Sequence, residues 1–200
     1  AGKIRAFGHS TFPAEMIVEA QWVASTRGHV RPRSEQPPYS ILVRRIERDV
    51  LPTCQQYGIG VLTWSPLAGG WLAGRFGSGK KNTSRRSDRL PARYDLTVPA
   101  NQRKLEAVDR LQALADEAGL SLIDLALGVA LEHPAVTSVI IGPRTKKHLE
   151  SQLGAPERRL SPDLLDRIDE VVAPGTNVNP GDGGWDPPAL SPAQRRRPSA

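Results

Sequence analysis

The stretch Ile59-Gly60-Val61-Leu62-Thr63-Trp64 constrains this chain most. A near-continuous apolar run of this kind reads as a strand of a parallel sheet covered on both faces. The sequence around it alternates short apolar runs with longer helical patterns. Lys3–Gly8 reads as a short strand. Pro13–Arg27 reads as a helix, with Ile17, Val18, Trp22 and Val23 at helical spacing, Pro13 suited to a first turn and Gly28 closing it. Val30–Gln36 reads as a weaker strand ended by Pro37-Pro38, and Ser40–Tyr57 as a helix stopped by Gly58. Residues 75–99, rich in Gly, Ser, Lys, Arg and Pro, read as a long surface loop. An amphipathic helix is expected over 100–118 and another from a Ser121 cap through Leu131. A fourth strand follows over Val136–Ile141, then helices over Thr145–Leu153 and Ser161–Val172. Four alternations imply βα units on a parallel sheet. By pattern alone the fold is an open α/β sheet or half of a barrel, since a whole eight-stranded barrel needs ~250 residues.

Two hundred residues suffice for one domain with a real core, and 38% apolar with 24% charged residues is a globular composition. Cys54 is the single cysteine, which excludes an internal disulfide framework and any Cys-based zinc cluster. It fits a reducing, cytoplasmic setting. No run approaches the ~20 apolar residues of a membrane-spanning helix, and no cleavable signal opens the chain. The chain begins on Ala1, already inside an apparent element, and its only methionine is Met16. That start points to a piece of a longer protein. Net charge is +6, but the basic residues are scattered apart from Arg44-Arg45, Arg85-Arg86, Arg158-Arg159 and Arg195–Arg197. This is the pattern of a solvated surface, with no nucleic-acid recognition motif and no membrane anchor.

Ligands of parallel α/β folds gather at the carboxyl ends of the strands. There the sequence places His9-Ser10-Thr11, Glu35-Gln36, Trp64-Ser65-Pro66-Leu67-Ala68-Gly69-Gly70 and Gly142-Pro143-Arg144-Thr145. Hydroxyls, an amide, a large aromatic, glycines and an arginine at a helix start suit an aromatic ring joined to phosphates. Each also has a plainer reading: Trp64 as rim packing, Gly69-Gly70 as a tight turn, Thr145 as a helix cap, and Ser10 as a cap of the Pro13 helix. No Gly-rich dinucleotide or phosphate-loop fingerprint and no G-x-S-x-G elbow is present. His9, His29 and His133 lack metal-like partners, so no metal site is expected.

In this order and spacing, the strings Gly2–Ser10, Tyr57–Gly70 and Val139–Leu149 resemble the second half of an aldo-keto reductase. The Trp64-Ser65-Pro66-Leu67 run is most similar to the branch of bacterial aldo-keto reductases and potassium-channel β subunits. The resemblance covers residues 2–173 and implies a (β/α)8 barrel of which this chain holds the second half, about four βα units with a C-terminal helix and loop. Residues 1–190 then form one partial domain and 191–200 a disordered basic tail. The implied activity is NADPH-dependent reduction of an aldehyde or ketone. The resemblance further implies that Ser10 and Gln36 hold the nicotinamide carboxamide and that Trp64 stacks on its ring. Ser65, Pro66, Leu67, Gly69, Arg75 and Arg85 would lie along the pyrophosphate. Gly142, Arg144, His148, Ser151 and Gln152 would hold the adenosine 2′-phosphate and adenine. Four positions depart from the family: Thr11 and Gln152 stand where Asn is usual, His148 where Gln or Arg is, and Ser151 where an acidic residue is common.

The family's catalytic Asp, Tyr, Lys and His come from the first four strands, so no catalytic residue is assigned here, and Tyr39, Tyr57 and Tyr94 do not match the catalytic position. The chain alone is therefore expected to be inactive, with the carbonyl substrate belonging to the full-length protein. The alternative is a non-catalytic cofactor-binding or oligomerising half-barrel. Its bare edges beside Ile4–Phe7 and Val139–Ile141 would invite pairing with a second copy.

Overall fold

The computed structural model describes residues 2–79 and 85–196. Four parallel strands form one sheet in the order of the chain: β1 (Gly8–His9), β2 (Ser34–Glu35), β3 (Gly60–Trp64) and β4 (Val136–Ile140). Gly8 lies opposite Ser34, Ser34 opposite Gly60, and Trp64 opposite Ile140, with a register shift between Val61 and Leu62. Helices α1 (Ala14–Thr26) and α2 (Val50–Tyr57) follow β1 and β2. Between β3 and β4 come α3 (Arg85–Arg89), α4 (Pro99–Glu117) and α5 (Leu122–Glu132), and after β4 come α6 (Lys146–Leu153) and α7 (Pro162–Val171). Pro192–Arg195, in the stretch read as a disordered tail, form one exposed helical turn, α8. Among the described residues no helix is long and apolar enough to cross a membrane.

The first two strands are far shorter than the sequence suggests, two residues each in place of six and seven. Proline brackets β2 on both sides, at Pro32 and Pro37-Pro38, and lacks the N–H that a longer ladder requires. At the β1–β2 contact the backbones nearly touch. A Cβ on Gly8 would sit 2.1 Å from the Ser34 carbonyl oxygen, so only glycine fits. Beside it His9 Nδ1 pairs with the fully buried Glu35, whose other oxygen accepts from Phe12 N–H at 3.1 Å.

β3 is covered on one face, not two. Val61 and Thr63 are fully buried, while Gly60, Leu62 and Trp64 alternate with them half-buried. The buried side packs on Ile17 of α1, Leu51 and Cys54 of α2, and Ala130 of α5.

The helix expected over Ser40–Tyr57 divides. Ser40 and Val43 exchange backbone hydrogen bonds in a turn, Arg45–Glu47 form a 3₁₀ turn, and α2 starts only at Val50, where the Asp49 carboxylate accepts from the Val50 N–H. The backbone that would have continued the helix is taken by the C-terminal segment: Arg44 N–H donates to Thr176 O at 2.8 Å, and Val178 N–H to Leu42 O at 3.0 Å. The Arg44 side chain fastens the same junction. It donates to Glu47 at 2.8 Å, to Asp169 at 2.6 Å and to the Val172 carbonyl at 2.7 Å.

Residues 75–99, read as a long surface loop, carry α3 and a 3₁₀ turn at Pro91–Arg93, because Phe76 and Tyr94 pack into the core. The capped helices after them form as their sequence indicates. Ser121 and Asp124 make a reciprocal capping box at α5, and Thr145 and Ser161 cap α6 and α7. The second core lies under α4, α5 and α7 around Leu111, Leu125 and Ile168, and it includes Trp71, Leu72 and Phe76 from the turn after β3.

Candidate functional site

The turn after β3 is held in unusual backbone geometry. Ser65, Ala68, Gly69 and Gly70 all have positive φ, at 61°, 47°, 71° and 105°. For Ser65 and Ala68 the left-handed region is costly, and such strain concentrates at functional sites. The turn is over-determined by its own bonds. Ala68 N–H donates to Ser65 O, Gly69 N–H to Ser65 Oγ, Gly70 N–H to Leu67 O, and Tyr94 OH to Gly69 O. Behind it Trp71, Phe76 and Tyr94 stack on one another, and the buried Lys104 ammonium lies 4.7 Å above the Trp71 ring. Lys104 also donates to Asp182 at 2.9 Å, and burial lowers its pKa.

This turn forms one wall of a groove of about 1110 Å³. Trp64, Ser65, Pro66, Leu67, Gly69 and Arg75 line that wall, and the loop after β4 and one side of α6 supply the other with Gly142, Arg144, His148, Ser151 and Gln152. The two walls touch where Arg75 Nη2 donates to His148 Nε2 at 2.7 Å. Gln152 is largely buried and spends its amide N–H on the His148 carbonyl at 2.7 Å, and Ser151 Oγ donates to the same carbonyl at 2.9 Å.

Ser10 and Gln36 lie outside the lining but are tied to it. The Gln36 backbone carbonyl accepts from Ser10 Oγ at 2.7 Å and from Trp64 Nε1 at 3.1 Å. The ends of the first three strands are thereby joined, and the indole of Trp64 is oriented by its one polar atom. It is the main chain of Gln36, not its side-chain amide, that makes these bonds. Arg85 opens α3, and its side chain lies outside the described residues.

The groove's charge is one-sided. Arg75, Arg89, Arg144 and Lys147 line it, and among the described residues no carboxylate does. Such a site favours an anion, and arginine suits phosphate oxygens in particular. The apolar part of the lining, with Trp64, Leu67, Ile123 and Ile140, suits a flat ring system. An added Cβ at Gly70 or Gly142 would meet nothing within 4 Å, so these glycines leave open space rather than serving protein packing. Lys147 and Arg89 are absent from the sequence-derived set. Lys147 was legible in principle, four residues before Ser151 on one face of α6.

Among the described residues no cluster of His, Cys, Asp and Glu could hold a metal ion. Tyr39 is buried with its hydroxyl donating to Glu47 at 2.7 Å, and burial pushes its pKa far above the ordinary tyrosine range. It is a structural group in this setting.

Comparison with known proteins places these features in context. The profile of the aldo/keto reductase family matches residues 1–173. An uncharacterized oxidoreductase, YrpG, of Bacillus subtilis is 34% identical over 191 residues, covering 96% of this chain and 54% of that protein. A probable voltage-gated potassium channel subunit beta of Arabidopsis thaliana is 34% identical over 173 residues, 83% of this chain and 52% of its own length. Versiconal hemiacetal acetate reductase of Aspergillus parasiticus is 28% identical over 184 residues, 91% and 52%. The chain thus spans about half the length of the curated relatives it matches.

Proposed function

Since the chain belongs to the aldo/keto reductase family of oxidoreductases, we propose that it is the cofactor-cradling half of an enzyme that reduces an aldehyde or ketone with NADPH. The observation that carries this reading is the groove. Its lining combines a large aromatic and apolar side chains with four cations and, among the described residues, no carboxylate, as a ligand made of flat rings and phosphates requires. The residues fit such a ligand. Trp64, its indole fixed by the Gln36 carbonyl, would stack on the nicotinamide, with Ser10 and Gln36 beside the carboxamide. Ser65, Pro66, Leu67, Gly69 and Arg75 would flank the pyrophosphate, with Arg85 assigned alongside them by family resemblance. Gly142, Arg144, His148, Ser151 and Gln152 would take the adenosine end, with Arg144 on the 2′-phosphate. When bound, NADPH supplies the hydride. The chain's own part is to bind, to orient the ring and to exclude water from its face.

The proton donor is a different matter. Tyr39 is committed to Glu47 and Tyr94 to the Gly69 carbonyl. This favours a second reading of the isolated chain as a binding module without turnover. Fluorescence titration of the purified chain with NADPH, with carbonyl substrate in the same cuvette, tests both. Saturable quenching of tryptophan emission without NADPH consumption is the expected result. Absence of binding defeats the cradle, and turnover defeats the assignment of the proton donor to residues outside this chain.

A further inference from the structure

The backbone that carries Ser10 is strained. Thr11, the next residue, has a φ of 60°, in the left-handed region. For a β-branched residue that conformation is costly, and it persists only where surrounding bonds over-determine it. The bonds that bracket this turn converge on one side chain. Glu35 is fully buried and holds the residue before Ser10 and the residue after Thr11. One carboxylate oxygen pairs with His9 Nδ1, and the other accepts from Phe12 N–H at 3.1 Å. The His9 ring also stacks on the Phe12 ring, with 4.6 Å between centroids and 11° between planes. His9 Nε2 is buried and, among the described residues, has no hydrogen-bond partner, so Glu35 is the polar group that tethers the ring.

A buried carboxylate is a costly way to join two strands. The main chain already joins them, with Arg33 N–H donating to Phe7 O at 2.8 Å and Gln36 N–H to His9 O at 3.0 Å. What Glu35 adds is a turn fixed at both ends. Between those ends Ser10 Oγ reaches the Gln36 carbonyl at 2.7 Å, the same oxygen that accepts from Trp64 Nε1. Glu35 itself does not line the groove. It stands in register with Val61, on the side of the sheet packed against the helices.

We propose that Glu35 is a positioning residue for the nicotinamide end of the cofactor. It acts through the 9–12 turn and does not touch the ligand. It holds Ser10 where the carboxamide is met, and through Ser10 the Gln36 carbonyl that orients Trp64. The inference rests on the NADPH reading above and adds to it that the two ends of the nucleotide depend on different parts of the chain. The adenosine end is built on the loop after β4 and on α6, on the far side of β3 from this turn.

Calorimetric titration of the full chain with two probes tests it: NADPH, and 2′-phosphoadenosine 5′-diphosphoribose, the same nucleotide without its nicotinamide. Glu35→Gln keeps an acceptor for Phe12 N–H and gives up the carboxylate on His9. It is expected to weaken NADPH at least about fivefold and the nicotinamide-free probe less than about twofold. In a chain that already carries Ser10→Ala it is expected to cost NADPH almost nothing further, because both changes remove the same contact. His9→Gln breaks the pair from its other side and is expected to repeat the pattern. It carries the test if Glu35→Gln loses the far-ultraviolet circular dichroism of the parent. Equal weakening of both probes makes Glu35 a group of the fold alone and overturns the proposal. So does an unchanged NADPH affinity, and so do losses that add to those of Ser10→Ala. A parent chain that binds both probes equally has no nicotinamide contact to position, which overturns the proposal while leaving the phosphate contacts standing. A parent that binds neither overturns the cradle itself, and this inference with it.

Discussion

Arg75 and His148 meet across the groove, Nη2 to Nε2 at 2.7 Å, one from the turn after β3 and the other from the first turns of α6. A ligand lying along the groove passes this contact. The two cations at its sides then have separable tasks. Arg75 belongs to the wall that follows Trp64, and Arg144 to the loop that leads into α6.

Arg144→Ala is expected to weaken NADPH at least about tenfold, ~1.4 kcal/mol, and to leave NADH unchanged, because only the former carries the 2′-phosphate. Arg75→Ala is expected to weaken both alike. Isothermal titration with each nucleotide measures this. Equal losses for both nucleotides in Arg144→Ala would remove that residue from phosphate recognition.

Two glycines make a matched experiment. Gly8→Ala places a methyl 2.1 Å from the Ser34 carbonyl oxygen, so β1 must separate from β2. A loss on the order of 2 kcal/mol in urea unfolding is expected. Gly142→Ala meets nothing within 4 Å. Its stability should stay within about 0.5 kcal/mol of the parent, while nucleotide affinity falls. If Gly142→Ala binds NADPH normally, the open space at that glycine is not used by the ligand.

Lys104 is buried with its charge directed to Asp182 and its ammonium over Trp71. Asp182→Ala leaves that ammonium without its carboxylate, and a one-sided loss of this kind costs on the order of 3 kcal/mol. Lys104→Met keeps the stem on Trp71 and is expected to cost less. Thermal melts of the two variants check the order, and a milder Asp182→Ala would show that the ring and the Arg93 carbonyl suffice to hold the Lys104 ammonium.

Burial pushes the Cys54 thiol up from 9.0 to about 12, with Glu35 adding to the shift. The folded state therefore favours the protonated thiol. Its stabilising share is complete below pH 9 and is lost as the pH rises from 9 towards 12. In melts at pH 8 and pH 11, Cys54→Ala should lose less on alkalinisation than the parent. The native thiol should also resist a disulfide reagent at pH 8, and rapid labelling there would contradict its burial.

The sequence was most legible where local chemistry decides structure. The caps Ser121, Thr145 and Ser161 and the apolar spacing of α4 and α7 need no distant partner. β3 and β4 were legible as strands, but the apolar run 59–64 could not disclose that Leu62 and Trp64 face a more open side. Ser40–Tyr57 misled because its helix is broken by residues 176–178, more than a hundred positions away. The groove's two walls were legible through the family strings, Lys147 included in principle. Arg89 was not, since it joins the site only through the folding of α3 towards the turn after β3.

The fastening of Arg44 to Asp169 and Val172 joins positions 125 and 128 residues apart. On a ribosome, the loop that leads from β2 into α2 is made before its backbone partners at 176–178 exist. At 5–20 residues per second, it waits on the order of ten seconds for them. During that interval the end of β2, and with it the Gln36 carbonyl that orients Trp64, hangs from an unfinished junction. The order of synthesis thus ties the final setting of Trp64 to residues made more than a hundred positions later.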